Sequence, residues 1–166
     1  MAKGGSGAKQ KGSSFEREMA LKLSKLTGES FIRAPSSGAY IGGSNSHRKE
    51  ILHEGQIRSF KGDIIPGTSY NHWNIECKSY KDFPFHMLLQ DKKISILEEW
   101  ISQLMSVADE GDVNLLFMKF NRKGSYILCP SSLIETNTGI LYQKEWSFDF
   151  LSNIESYLCS LRKGDF

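Results

Sequence analysis

An aspartate at position 63, in "GDII", stands thirteen residues before a glutamate at 76 and fifteen before a lysine at 78, both in "NIECKSY". Two carboxylates brought together repel unless one takes up a proton or a cation bridges them. A hard divalent ion with oxygen ligands, Mg²⁺ in particular, answers that repulsion. A lysine beside such an ion can position or help deprotonate an attacking water, or neutralise charge on a phosphate. The spacing alone is a loose pattern. A solvated Glu–Lys pair on the outer face of a strand leaves the same trace, so the surrounding elements decide between the two.

In "HWNIECK", Trp73, Ile75 and Cys77 alternate with Asn74, Glu76 and Lys78, the two-residue period of a strand with one apolar face. Glu76 and Lys78 therefore share the other face. "GDIIPG" reads as a preceding strand joined by a turn around "PGTSYN", an arrangement that brings Asp63 close to Glu76. A helix is expected from about Ser14 to Leu26, with Phe15, Met19, Leu23 and Leu26 as its stripe and Gly28 as its stop. Glu16 borders that stripe and can lean over the edge of the sheet. It also completes the S-x-x-E pattern of a capping box from Ser13, in which it would only close the helix start. "RAPSSG" places Arg33, Ser36 and Ser37 on a small-residue loop that suits phosphate contact or a plain turn. Lys119 lies on a later strand, facing opposite to Leu116 and Met118, where a solvated lysine is explanation enough.

The remaining elements are a strand in "SFIRA" (30–34), a second core helix from about Ile94 to Ala108, and a hairpin of "VNLLFMKF" and "GSYILCP" around "NRKG". The helix carries Ile94, Leu97, Ile101, Leu104 and Met105 at helical spacing. A last helix is expected to open at Ser147, with Phe148, Leu151, Ile154, Tyr157, Leu158 and Leu161 on its apolar side. That order predicts an α/β domain: a central mixed sheet of about five strands flanked by helices, with an extra C-terminal helical region. The chain divides into a flexible basic arm (1–12), a core (13–130) and a helical extension of the same domain (131–166).

At 166 residues, with 39% apolar and 24% charged residues, the composition is that of one soluble globular domain. No apolar run approaches the ~18 residues of a membrane span. The basic N-terminus is followed by no apolar stretch of the kind a signal peptide needs. Cys77, Cys129 and Cys159 are odd in number and far apart, which fits reduced thiols in a cytoplasmic protein. His47, His53, His72 and His86 lie near no cysteine pair, which argues against structural zinc. A net charge of +2 does not by itself demand a nucleic-acid partner, but its distribution points to one. Lys3, Lys9 and Lys11 precede any acidic residue, and Arg33, Arg48, Lys49, Arg58 and Lys61 precede Asp63, so an arm and a loop can track phosphates.

In this order, "KGSSFEREMALKL", "FIRAPSSG", "GDII" and "IECKSY" closely resemble the archaeal-type Holliday junction resolvases of the PD-(D/E)xK nuclease superfamily, which has similar enzymes in bacteriophages. In that family a catalytic glutamate follows a "KG" glycine by four residues, the spacing of Gly12 to Glu16. The family's R-(A/S)-x-x-S loop is matched by Arg33 to Ser37, and its metal aspartate and ExK dyad by Asp63, Glu76 and Lys78. "EEWISQLMSVADEGDVNLLFMKFNRKGSYILCP" is similar to the family's second helix and closing hairpin, so the resemblance covers about residues 11 to 130. Three features depart from the pattern. The segment from Ala39 to Lys61 is longer than usual, which leaves open whether Ser36 or Ser37 is the loop serine. Gly62 replaces the nominal proline, and the region from Ser131 exceeds the family core.

The resemblance implies a restriction-endonuclease-like fold with Glu16, Asp63, Glu76 and Lys78 as catalytic residues. It implies Mg²⁺, with Mn²⁺ as substitute and no small-molecule cofactor, held by Asp63, Glu76, the Cys77 backbone carbonyl and Glu16. It implies DNA contacts from Lys11, Arg33, Ser36, Ser37, Arg48 and Lys49. The activity implied is metal-dependent resolution of four-way junctions in DNA recombination and repair, by paired symmetric cuts leaving 5′-phosphate ends. Two matched cuts in a two-fold symmetric substrate suit a C2 homodimer, in the host cytoplasm if the source is a phage. Two other readings stay open. One is a superfamily nuclease of restriction, repair or phage DNA-degradation type without junction selectivity. The other is a non-catalytic module that binds branched DNA.

Overall fold

The apolar stripe of the first helix and the alternating strands sort onto the two faces of a single sheet. The computed structural model describes residues 5–35, 50, 53, 59–134 and 138–161, the side chains of 5–11 excepted. Helix α1 (Gly5–Thr27) is followed by the two-residue strands β1 (Ile32–Arg33) and β2 (Ile64–Ile65), a 3-10 turn at Thr68–Tyr70 and strand β3 (Trp73–Tyr80). Helices α2 (Phe85–Leu89) and α3 (Ser95–Met105) lead to the hairpin of β4 (Val113–Phe120) and β5 (Gly124–Pro130). A second 3-10 turn (Ser131–Leu133), β6 (Ile140–Tyr142), β7 (Trp146–Phe150) and α4 (Leu151–Leu158) complete the described elements.

The main sheet has five strands in the order β3-β4-β5-β7-β6. Strands β3 and β4 run parallel through the α2–α3 crossover, and the other pairs are antiparallel. On one face Trp73, Ile75 and Cys77 of β3 and Val113, Leu115 and Phe117 of β4 pack with Phe15, Met19 and Leu23 of α1 and Leu151, Ile154 and Leu158 of α4. On the other, Leu116, Met118 and Phe120 pack with Leu97, Trp100 and Leu104 of α3 and with Phe148 of β7. The mixed five-stranded sheet between helices is the expected class, but its membership differs. Strands β1 and β2 form a separate antiparallel ribbon, and β6 and β7 supply the last two places.

The expected helix opening at Ser147 is therefore corrected: Trp146–Phe150 is a strand, and the helix starts at Leu151. Phe148 lies three residues before Leu151 and so mimics a helical stripe, yet it packs on the opposite face of the sheet. The alternation in "WSFDF" is the better signal. The first helix also starts earlier than Ser14, at Gly5, so from Gly5 on the expected arm forms the opening turns of α1. It ends as expected at Gly28, whose φ is +75° and whose N–H reaches the Ser24 carbonyl at 3.0 Å. In α3 the buried residues are Leu97, Trp100 and Leu104, while Met105 is exposed. Among the described residues no helix is long and apolar enough to cross a membrane.

Strand β3 is one of the two outer strands of the sheet, and the segment around Asp63 covers its free edge. The Asp63 N–H donates to the Ile75 carbonyl at 2.8 Å, and the Ala34 N–H donates to the Asp63 carbonyl at 2.8 Å. The approach is close because residue 62 is glycine. Its φ is +68°, and a Cβ there would stand 2.3 Å from the Ile75 carbonyl oxygen. Gly111 has φ +83°, and a Cβ there would meet nothing within 4 Å, so it isolates the conformational cost. By urea denaturation, Gly111→Ala is expected to cost about 1 kcal/mol and Gly62→Ala about 3 kcal/mol. Equal losses would show that the Asp63 segment moves freely off β3.

Candidate active site

Neighbouring residues of β3 point to opposite faces, so Cys77 enters the core beneath α1 while Glu76 and Lys78 turn toward α3. In register Glu76 lies beside Leu116 and Lys78 beside Met118. Glu76 is 3% exposed and Asp63 5%, so neither is a solvated surface charge. The Asp63 Oδ2 accepts the Cys77 N–H at 2.8 Å, and its carboxyl lies close enough to that of Glu76 for the two charges to interact. The Lys78 Nζ donates to the Glu76 Oε1 at 2.7 Å and to the Gln103 Oε1 of α3 at 2.7 Å. A strand residue's N–H and C=O point the same way. Because the Cys77 N–H meets Asp63, its carbonyl also lies on the open edge where the carboxylates stand.

The electrostatics follow from this geometry. Burial, and after it the neighbouring Glu76, pushes the Asp63 carboxyl up to about 7. The Cys77 N–H and Lys78 act in the opposite direction, and Glu16 adds to the rise. Glu76 is raised too, chiefly by burial, against the lowering effect of Lys78. Burial likewise pushes the Cys77 thiol well above its usual range, with Asp63 contributing, so this cysteine is an inert core residue. Two neighbouring buried carboxyls, offset by a single lysine, form a donor set with room for a proton or a cation.

Glu16 is placed differently. The helix starts eleven residues before it, so the capping-box explanation does not apply. It sits on α1, near enough to the pair for its charge to raise both Asp63 and Glu76, with Oε1 3.9 Å from where a Cβ of Gly12 would be. Its Oε2 accepts the Arg33 Nε in an ion pair. Among the described residues no three His, Cys, Asp or Glu side chains converge as a metal cage. Lys119 lies on the α1 side, 2.6 Å from the Glu18 Oε2 and over the Phe15 ring. Lys61 pairs with Asp112 and Asp109 in the loop before β4 rather than reaching outward. Ser36, Ser37, Arg48 and Lys49, and the side chain of Lys11, lie outside the described residues. Gln103 is the site residue that the sequence did not reveal, because a glutamine beside an apolar stripe has no distinguishing pattern. Only the α3–β3 packing brings it to Lys78.

A family model described as "Phage putative PDDEXK endonuclease" matches residues 7–154. No curated protein matches the chain, and no solved structure does. The matched span runs from α1 through the first half of α4 and so contains Glu16, Asp63, Glu76 and Lys78 together with all five strands of the main sheet. This chain belongs to that phage PDDEXK endonuclease family.

Proposed function

We propose that the protein is a metal-dependent DNA endonuclease selective for branched substrates, four-way junctions above all. The observation that carries the nuclease reading is the buried, neighbouring Asp63–Glu76 pair with Lys78 at its mouth. The residues that would hold a divalent ion, Mg²⁺ or in its place Mn²⁺, are Asp63, Glu76 and the Cys77 carbonyl, with Glu16 joining them. The ion would lower the pKa of a water and offset charge on the scissile phosphate. Lys78 is held by both Glu76 and Gln103 on the α3 side, where its ammonium can orient an attacking water or neutralise a phosphate oxygen. Gly62 and the two hydrogen bonds of Asp63 to β3 fix the carboxylate against the strand edge, so little has to reorganise when the substrate arrives.

The junction preference rests on the motifs "KGSSFE", "FIRAPSSG", "GDII" and "IECKSY". A two-fold symmetric junction calls for a homodimer cutting twice, with selectivity from DNA shape rather than base edges. The test is cleavage of a synthetic four-way junction against a linear duplex built from the same arms, with Mg²⁺. We expect paired nicks with 5′-phosphate ends in the junction and little cutting of the duplex. Equal cutting of both would remove the junction selectivity and leave a general superfamily nuclease. Asp63→Asn and Glu76→Gln are each expected to lower cutting by at least about 100-fold while binding of the junction is retained. Binding that falls as far as cutting would count against the assignment, and junction binding by wild type without metal-dependent nicking would point to a non-catalytic module.

The charge on the pair gives a second test that does not depend on activity. The folded-state pKa of Asp63 lies above its unfolded value, so between about pH 4 and pH 7 the folded protein binds more protons than the unfolded one. Metal-free stability therefore falls as pH rises through that window and stays low above it. Asparagine can still accept the Cys77 N–H but carries no charge. In EDTA, Asp63→Asn is expected to be more stable than wild type by about 2 kcal/mol at pH 8 and by little at pH 5. Saturating Mg²⁺ should raise the melting temperature of wild type and leave Asp63→Asn unmoved. A constant difference between the two proteins across pH would sink this account.

A further inference from the structure

Arg33 occupies an unusual place between the first helix and the Asp63–Glu76 pair. It lies on β1 opposite Ile64, and the next residue, Ala34, is hydrogen-bonded to the backbone of Asp63. Its backbone is thus fixed to the segment that carries the first carboxylate. Its side chain reaches the other way, to Glu16 on α1, and is 35% exposed where the Glu16 side chain is 16% exposed. The charge of Glu16 is felt at Asp63, Glu76 and Cys77, yet Glu16 does not complete a three-carboxylate cage with Asp63 and Glu76. The guanidinium holds it.

An arginine fork accepts a carboxylate and a phosphate with the same geometry, so one partner can replace the other without leaving the guanidinium unpaired. A small divalent ion held by two carboxylates and a carbonyl keeps waters in its remaining positions, and a third carboxylate that replaces one of them strengthens the site. We propose that Arg33 is a latch: it holds Glu16 off the Asp63–Glu76 pair until a backbone phosphate takes the guanidinium, and the released Glu16 then joins the metal site. Arg33 is on this account a positioning residue that acts through Glu16, and phosphate and metal bind with positive coupling. The inference rests on the reading of Asp63 and Glu76 as a cation site.

Four proteins test it: wild type, Arg33→Gln, Glu16→Gln and the double variant. Mn²⁺ affinity without DNA is read from the electron paramagnetic resonance signal of the free ion. Arg33→Gln is expected to bind Mn²⁺ about tenfold more tightly than wild type, because Glu16 is freed. The double variant should bind no more tightly than Glu16→Gln, a non-additivity that a mere loss of positive charge does not produce. A gain of equal size in both backgrounds, or no gain at all, overturns the latch. The reciprocal measurement is binding of a labelled DNA duplex in EDTA. Glu16→Gln should bind more tightly, with a slope of log affinity against log salt steeper by about 0.9, the signature of one added phosphate contact. That change should be absent when Arg33 is glutamine, and its persistence there would also overturn the latch. If wild type takes up no more Mn²⁺ than Asp63→Asn does, the metal reading of Asp63 and Glu76 fails instead, and the latch with it.

Discussion

Two carboxylates buried against each other at the edge of β3 are the constraint on which the structure turns. Removing a carboxylate from water is unfavourable, and placing a second beside it adds repulsion. The packing around the pair has to hold that arrangement. Four features do so within a few residues. Gly62 lets the chain approach the Ile75 carbonyl, the Asp63 N–H closes onto that carbonyl, the Cys77 N–H closes onto the Asp63 carboxylate, and Lys78 partly offsets Glu76. Three of them use the backbone of β3, whose Trp73, Ile75 and Cys77 are locked into the core under α1. The anchoring of one face of the strand therefore sets the aim of the other.

More distant contacts serve the same end. The Lys61 side chain, 11% exposed, pairs with Asp112 and Asp109, tying the residue before Gly62 to the loop that opens β4. A largely buried ion pair of this kind contributes little net stability, yet breaking it by removing one partner is costly because the other charge is left poorly solvated. On the α3 side the Asn74 Nδ2 donates to the Leu104 carbonyl and to the Asn114 Oδ1, both at 2.8 Å. That bond joins the last turn of α3 to β3 one residue away from Gln103. The position of the Lys78 ammonium thus depends on a buried asparagine four residues earlier in the same strand.

The sequence was most legible where one periodicity and one neighbour decide the outcome. The meeting of Asp63 with Glu76 and Lys78, the stripe of α1, the Gly28 stop and the β4–β5 hairpin all follow from local pattern, and the structure has each of them. It was least legible where two periodicities overlap. Phe148 is spaced from Leu151 and Ile154 as a helix would space it, and its pairing with Leu128 on β5 and Ile140 on β6 makes it a strand residue. The Glu16 ambiguity was of another kind, since S-x-x-E is a capping signal only at a helix start. In the structure α1 runs back to Gly5, which leaves Ser13 inside the helix. Gln103 and the Arg33–Glu16 pair could not be read at all, because each depends on two elements meeting in space.

The charges around the site also change how nucleic-acid binding should be viewed. From the sequence, Arg33 and Lys61 look like cations awaiting phosphates. In the structure Arg33, Lys61, Lys78 and Lys119 each face a carboxylate: Glu16, Asp112, Glu76 and Glu18. A phosphate that docks here displaces an existing partner as well as counterions. The part-exposed pairs Arg33–Glu16 and Lys119–Glu18 are the exchangeable ones, since water and salt already compete for them. The more enclosed Lys61–Asp112 and Lys78–Glu76 pairs resist exchange, because breaking either leaves a poorly solvated charge. The enclosed pairs therefore keep the machinery assembled, while the exposed ones can pass from a protein carboxylate to a DNA phosphate. A net charge of only +2 is compatible with DNA binding on the proposed exchange, because phosphates would replace carboxylates that already match the positive charge.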